Sequence, residues 1–336
     1  MKQFILPLLL TLHLGSALPA VSMAMGTDSG LAGSEAISRA VAIQGNQAYI
    51  GIGRRFVTIN ALQPLSPKAR GELTMAGNIR DIQISGGYAF IAADEAGLQI
   101  VDIANPAAPR VAGSDLFSDH AAAVHVVGSH AYVAAGRHGL LVYDVANPAA
   151  PELIGVGRTS GWATDVQVAG HYAYVAAGEA GLRVLDIADP LNPTPVGGQV
   201  FHTDATGVQV DGLLAYVAAG GLGLRIIDVS NATAPVEVGS IGQRHASRLA
   251  LQGERVFVAA EGQGVWVADV SNPYAPVLLS HYPASRSANS VAVAASHAYI
   301  ADSGGGLLVV EQAAAGRHEL RRALLELRSS ARSALR

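Results

Sequence analysis

Three histidines, His120, His202 and His245, are the residues of this chain best suited by type to do chemistry, because a neutral imidazole can ligate a metal or carry a proton near neutral pH. Their spacing supports neither use. They stand 82 and 43 residues apart, and no H-x-x-x-H pair accompanies them. The residues two places either side of His120 are Ser118 and Ala122, so no H-x-H pair forms there. Six acids, Asp102, Asp144, Asp186, Asp228, Asp269 and Glu311, recur at a fixed interval and suggest a ring of cation ligands. Ion sites need ligands that converge, however, and a residue repeated about every 42 positions is spread around a structure. An Asp ahead of an Asn-Pro turn has a simpler use, accepting hydrogen bonds from the N–H groups of that turn. A structural role is expected.

Other reaction chemistries lack their residues. There is no cysteine, which removes disulfides, thiolate metal sites and cysteine nucleophiles. The chain has no G-x-S-x-G elbow, no P-loop and no H-E-x-x-H helix. Gly220-Gly221-Leu222-Gly223 is glycine-rich, but it falls at a turn of the repeat and no helix follows to bind a phosphate. No catalytic residue, metal site or cofactor is expected.

The elements that would position any site come from an internal period. An aromatic of a recurring Ala-Tyr-Val stands at Tyr49, Phe90, Tyr132, Tyr174, Tyr216, Phe257 and Tyr299, at spacings of 41, 42, 42, 42, 41 and 42. The acids follow twelve residues after six of these anchors, and the first copy has Asn60 one residue early. The fourth copy shows the unit. Asp165 to Val168 alternates polar and apolar, Ala169-Gly170 turns the chain, and Ala173 to Ala177 forms a second strand. Leu182 to Ile187 is a third, and after Asp189-Pro190-Leu191-Asn192-Pro193 a fourth opens at Thr194 to Gly197. Four short antiparallel strands in about 42 residues are one propeller blade. The expected fold is all-β, a seven-bladed β-propeller of four-stranded antiparallel blades. Ala121, Ala163, Ala205, Ala246 and Ala288 begin innermost strands, where larger side chains would overfill the hub.

The seventh copy stops after its third strand. Leu31-Ala32-Gly33-Ser34-Glu35 matches Val111-Ala112-Gly113-Ser114-Asp115, the fourth strand of the second copy, so residues 30–35 are expected to complete the last blade. The first copy departs most from the others, with Arg54-Arg55 in a turn and Asn60 for Asp, and its blade is expected to be the least regular.

The motif Gly97-Leu98-Gln99-Ile100-Val101-Asp102-Ile103-Ala104-Asn105-Pro106 resembles the LVIVD repeat family, as do Leu140 to Pro148 and Leu224 to Asn231. The resemblance spans about residues 31–311. It implies a β-propeller of bacterial or archaeal extracytoplasmic proteins, and it brings no shared catalytic residues.

Binding is expected where the copies differ. The loop entering each innermost strand and the loop between strands two and three open on one face of a propeller, and polar, variable residues concentrate there. The candidate ligand-binding residues are Asn78, Arg80, Asp81, His120, Trp162, Asp165, His202, Asp204, His245 and Arg248. The opposing reading is that these are solvated loop tips. Trp162 stands out, since an aromatic at a loop tip anchors a partner or packs on a neighbouring loop.

The chain ends differ from the body. Met1-Lys2, an apolar run from Phe4 and Ser22-Met23-Ala24 read as a signal peptide over residues 1–24. Pro7, His13 and Pro19 leave that run short of a clean membrane span, and no later stretch is long and apolar enough to cross a bilayer. Residues 313–336 carry six Arg and two Glu, with Leu320, Leu324, Leu327, Ala331 and Leu335 at helical spacing, so a short basic amphipathic helix or tail is expected. It would dock on the acidic body, fray, or weakly contact a membrane or acidic partner. Without that tail and Lys2 the body carries −9, against a nucleic-acid partner. The expectation is an exported, non-catalytic binding or scaffolding propeller over 25–312, located in the periplasm, outside the cell or on its surface. Its partner would be a protein, peptide or glycan. The alternatives are a propeller hydrolase or lyase with a His/Asp site at the same mouth, and a structural cell-surface component.

Overall fold

The period of about 42 residues becomes seven four-stranded antiparallel sheets in the computed structural model, which describes residues 23–24, 37–62, 67–116, 120–243, 245–284, 286–304 and 306–312. Blade 4 is representative, with strands Asp165–Ala169, Tyr172–Ala176, Leu182–Asp186 and Thr194–Gln199 paired in sequence order. Blades 2, 3, 5 and 6 repeat this order, running from Asp81, Ala123, Gly207 and Ala246. Blade 7 begins at Ala288, and its third strand, Gly306–Glu311, pairs on its outer side with Met23–Ala24. Residues 30–35, expected at that edge, lie outside the described residues, as do residues 313–336. Among the described residues there is no helix.

Blade 1 corrects the expectation of irregularity. Its four strands, Ser38–Gln44, Gln47–Ile52, Arg55–Asn60 and Lys68–Thr74, are as complete as any other set. Asn60 pairs with Gln47 just as Asp102 pairs with Tyr88, so the displaced residue keeps its place in the sheet and the loop before it is one residue shorter. Its side-chain Oδ1 accepts the Leu62 N–H at 3.0 Å.

That bond is the repeated use of the acids. Asp102, Asp144, Asp186, Asp228 and Asp269 each accept the N–H two residues on, at 2.8 to 3.0 Å. Asn105, Asn147, Asp189, Asn231 and Asn272 do the same one turn later, so in blades 2 to 6 the turn to the outer strand is held by two successive Asx bonds. The backbone bond to Ala104, together with Arg110, holds the Asp102 carboxyl below its usual range. Backbone demand explains these acids.

The core is divided rather than central. Seven apolar clusters each join two neighbouring blades, as where Tyr174 and Leu182 of blade 4 meet Val208 and Val217 of blade 5. The cluster that decides the architecture contains Val41, Ile50 and Ile59 of blade 1 together with Tyr299, Leu307 and Val309 of blade 7. First and last sheets therefore pack on each other, and the sheets form a ring. The hub alanines Ala121, Ala163, Ala205, Ala246 and Ala288 are buried between blades. Glycines of the outer strands serve the same close packing: a Cβ on Gly113, Gly155 or Gly197 would lie 2.1–2.3 Å from a backbone carbonyl oxygen of the next blade.

Innermost strands pose a problem that the packing does not solve, because their edges face the channel with no further strand to bond. Side chains stitch these edges across to the next blade. Asp81 accepts the Val124 N–H at 3.0 Å and Asp165 the Val208 N–H at 2.9 Å. Thr164 and Thr206 donate to the carbonyls of Ala205 and Ala246, and Asn289 donates to the Ser38 carbonyl, linking blade 7 to blade 1.

Candidate functional site

The ten candidate residues do not form one cluster. The structure divides them between a rim on the open face and a lower level inside the channel, with Asn78, His202 and His245 exposed on the entering loops.

The rim is a continuous arc built from successive blades. Arg80 ends the loop into blade 2, and its Nη1 lies 3.9 Å from Asp94 Oδ2. Asp94 Oδ1 lies 2.9 Å from Nδ1 of His120, in the loop into blade 3. The His120 imidazole meets the Trp162 indole edge-on, with centroids 4.9 Å apart and planes at 72°. Trp162, in the loop into blade 4, is 45% exposed. Asp204, entering blade 5, follows it. A Cβ on Gly178 would lie 3.5 Å from Trp162 Cβ and 3.7 Å from Asp204 Oδ1, so the two residues flank that glycine.

Backbone conformation singles out the same face. Asp94, Gly136 and Gly178 hold one equivalent position, bonded across the blades to Ala121, Ala163 and Ala205. Gly136 and Gly178 have φ of 51° and 55°, and Asp94 adopts 49° despite its Cβ. A left-handed non-glycine residue is disfavoured by about 1 kcal/mol or more, and such residues gather at functional sites. Ser160, His202 and His245 share this conformation and lie on the entering loops. The fifth non-glycine residue of this kind among those described, Ala295, lies on the opposite face in the hairpin turn where blades 2 to 6 use Gly86, Gly128, Gly170, Gly212 and Gly253.

Below the rim, Arg248 crosses the channel. Its Nη1 lies 2.7 Å from Asp165 Oδ1, and its Nη2 donates to the Ala122 carbonyl at 2.9 Å and the Thr164 carbonyl at 3.2 Å. Blade 6 is thereby tied to blades 3 and 4. The equivalent positions on blades 1, 3 and 5 are Ala40, Ala123 and Gly207, which leave room for the guanidinium. Burial works to lower the Arg248 pKa, but the Asp165 and Asp81 carboxylates outweigh it and the net shift is upward. Burial raises the pKa of Asp81; Asp165 adds to that rise, and Arg248 partly offsets it. Burial lowers the Arg80 pKa against the pull of Asp94.

The carboxylate beside His120 is thus Asp94, which is not among the ten candidates. Asp81, Asp165 and Arg248 were expected at the mouth with the others. They stand one level lower because residues after the entering alanine already belong to the inner strand. Among the described residues, no group of three or more His, Asp or Glu gathers as a metal site.

Repeat profile and architecture now agree on a relationship. The LVIVD repeat matches at residues 76–115, 119–159, 160–198, 203–242, 243–283 and 285–311. The chain belongs to the LVIVD repeat family. Six LVIVD matches coincide with blades 2 to 7, while blade 1 lies outside them and yet folds alike. No curated protein matches the chain. Among solved structures, the computationally designed Ika8 protein superposes with a TM-score of 0.61 at 11% identity, covering 83% of this chain and 97% of its own. A chain of the mitotic checkpoint complex superposes at 0.64, also at 11% identity, covering 79% of this LVIVD protein and 87% of its own length. These likenesses concern the fold alone.

Proposed function

We propose that this LVIVD propeller is an exported, non-catalytic binding module whose open rim, from Arg80 through Asp94, His120 and Trp162 to Asp204, receives its partner. The observation that carries the reading is the concentration of left-handed non-glycine residues on one face, where they hold Asp94, His202 and His245 in place. A scaffold that needed only to fold would use glycine there, as blades 3 to 5 do at the Asp94 position. Export rests on the leader over residues 1–24, with the mature chain in the periplasm, outside the cell or on its surface. Removal of that leader would take Met23–Ala24 away from the edge of blade 7.

The test is capture from an extracytoplasmic fraction by immobilised protein, compared with a Trp162→Ala, Asp204→Ala, His245→Ala variant. A component retained by the first and lost by the second supports the rim. Equal capture by both takes this face out of consideration.

A further inference from the structure

The chemistry of the rim narrows its ligand. An anion-binding surface would gather cations, and a surface for cationic peptides would gather carboxylates. This arc does neither. Along it come a guanidinium (Arg80), a carboxylate (Asp94), an imidazole (His120), an indole (Trp162) and a second carboxylate (Asp204), so a ligand of either single charge meets groups of the wrong sign. A hydroxyl both donates and accepts, and it matches an alternation of acceptors and donors. A pyranose adds an apolar C–H face, which suits an indole.

Trp162 is set up as such a platform. The residue remains 45% exposed although it is held on two sides. The His120 ring abuts it, and a Cβ on Gly136 would come within 3.0 Å of both Trp162 Cε2 and Cζ2. An aromatic fixed before the ligand arrives loses little freedom on binding. The other tryptophan, Trp266, is buried, so ligand-induced change in indole fluorescence reports on Trp162.

We infer that the rim is a carbohydrate site, in which a pyranose ring stacks on Trp162 while Asp94, His120 and Asp204 take its hydroxyls. This rests on the rim being the binding surface and names the class of ligand for it. The experiment titrates the full-length protein with cellohexaose, chitohexaose and maltohexaose, and in parallel with polyglutamate and polylysine, following binding by isothermal titration calorimetry, with the tryptophan emission of the parent as a second readout. Saturable change with at least one hexasaccharide is expected, with affinity falling about thirtyfold in Trp162→Ala, the scale of a truncated aromatic hot spot. Trp162→Phe keeps a flat ring and is expected to retain binding within a few-fold, and thermal melting of both variants checks folding. Tighter binding of polyglutamate or polylysine than of every hexasaccharide, lost in Trp162→Ala, overturns the carbohydrate class while leaving the rim as a binding surface. No response to any hexasaccharide, or a response unchanged in Trp162→Ala, overturns the inference outright.

Discussion

Arg248 of blade 6 and Asp165 of blade 4 meet across the channel at 2.7 Å, and this pair joins sheets whose inner strands begin 81 residues apart. Both side chains are largely shielded, with exposures of 20% and 10%. Breaking such a pair leaves a charge with few substitutes. Arg248→Met is expected to destabilise the ring by about 3–5 kcal/mol, since it also strips donors from the Ala122 and Thr164 carbonyls. Urea unfolding measures this, and a loss below about 1 kcal/mol would show that the tie is solvated and weak.

Asp81 gives a pH dependence of defined sign. Its folded pKa is raised above the usual aspartate value, chiefly by burial, so the folded state holds the proton more tightly than the unfolded one. The stability contributed is fully present below the unfolded value and is lost as pH rises through the folded value. Asp81→Asn keeps an acceptor for the Val124 N–H without the charge. The variant is expected to melt higher than the parent at pH 8, with the difference shrinking towards pH 3. A variant that melts lower at pH 8 would show that the carboxylate is worth more as a partner of Arg248 than burial takes away.

Gly136 is tested by a single methyl group. Its φ is 51°, and a Cβ would lie 3.0 Å from His120 Cβ and from the Trp162 ring. Gly136→Ala is expected to shift Trp162 and change its emission, at a stability loss of about 1 kcal/mol or more for the strained backbone. Unaltered emission would mean that the indole is not held by this contact.

Asp144→Ala separates the two readings of the repeated acids. With the bond to the Ala146 N–H gone, stability is expected to fall by about 0.5–1.5 kcal/mol. The thermal response to added calcium is expected to be the same in parent and variant. Calcium stabilisation lost in Asp144→Ala would restore the cation ring.

Much of this was legible in the chain because one backbone solution is repeated. The anchors from Tyr49 to Tyr299 revealed the blades, and the Asp before each Asn-Pro turn revealed its own Asx bond. Asn60 misled because the count from Tyr49 shifted by one, although the deletion lies in the preceding loop and the sheet register is kept. The division of the candidates was not legible. Asp81, Asp165 and Arg248 share a repeat position with Ala40, Ala123 and Gly207, and this alternation of charged with small residues was the available sign that the charged ones fill shared space. Asp94 carried a similar sign, standing where later copies have Gly136, Gly178 and Gly220. A glycine in each of five outer strands, from Gly71 to Gly239, is explained only by the approach of the next blade.

The central claim is that the open face receives the partner, and cross-linking in the native cell tests it most directly. A photoreactive benzophenone amino acid is placed at Glu179, exposed on the rim beside Gly178, or at Ser129, exposed in a turn of the opposite face. The expected result is a discrete adduct from position 179 and none from position 129. Adducts from 129 alone would contradict the account.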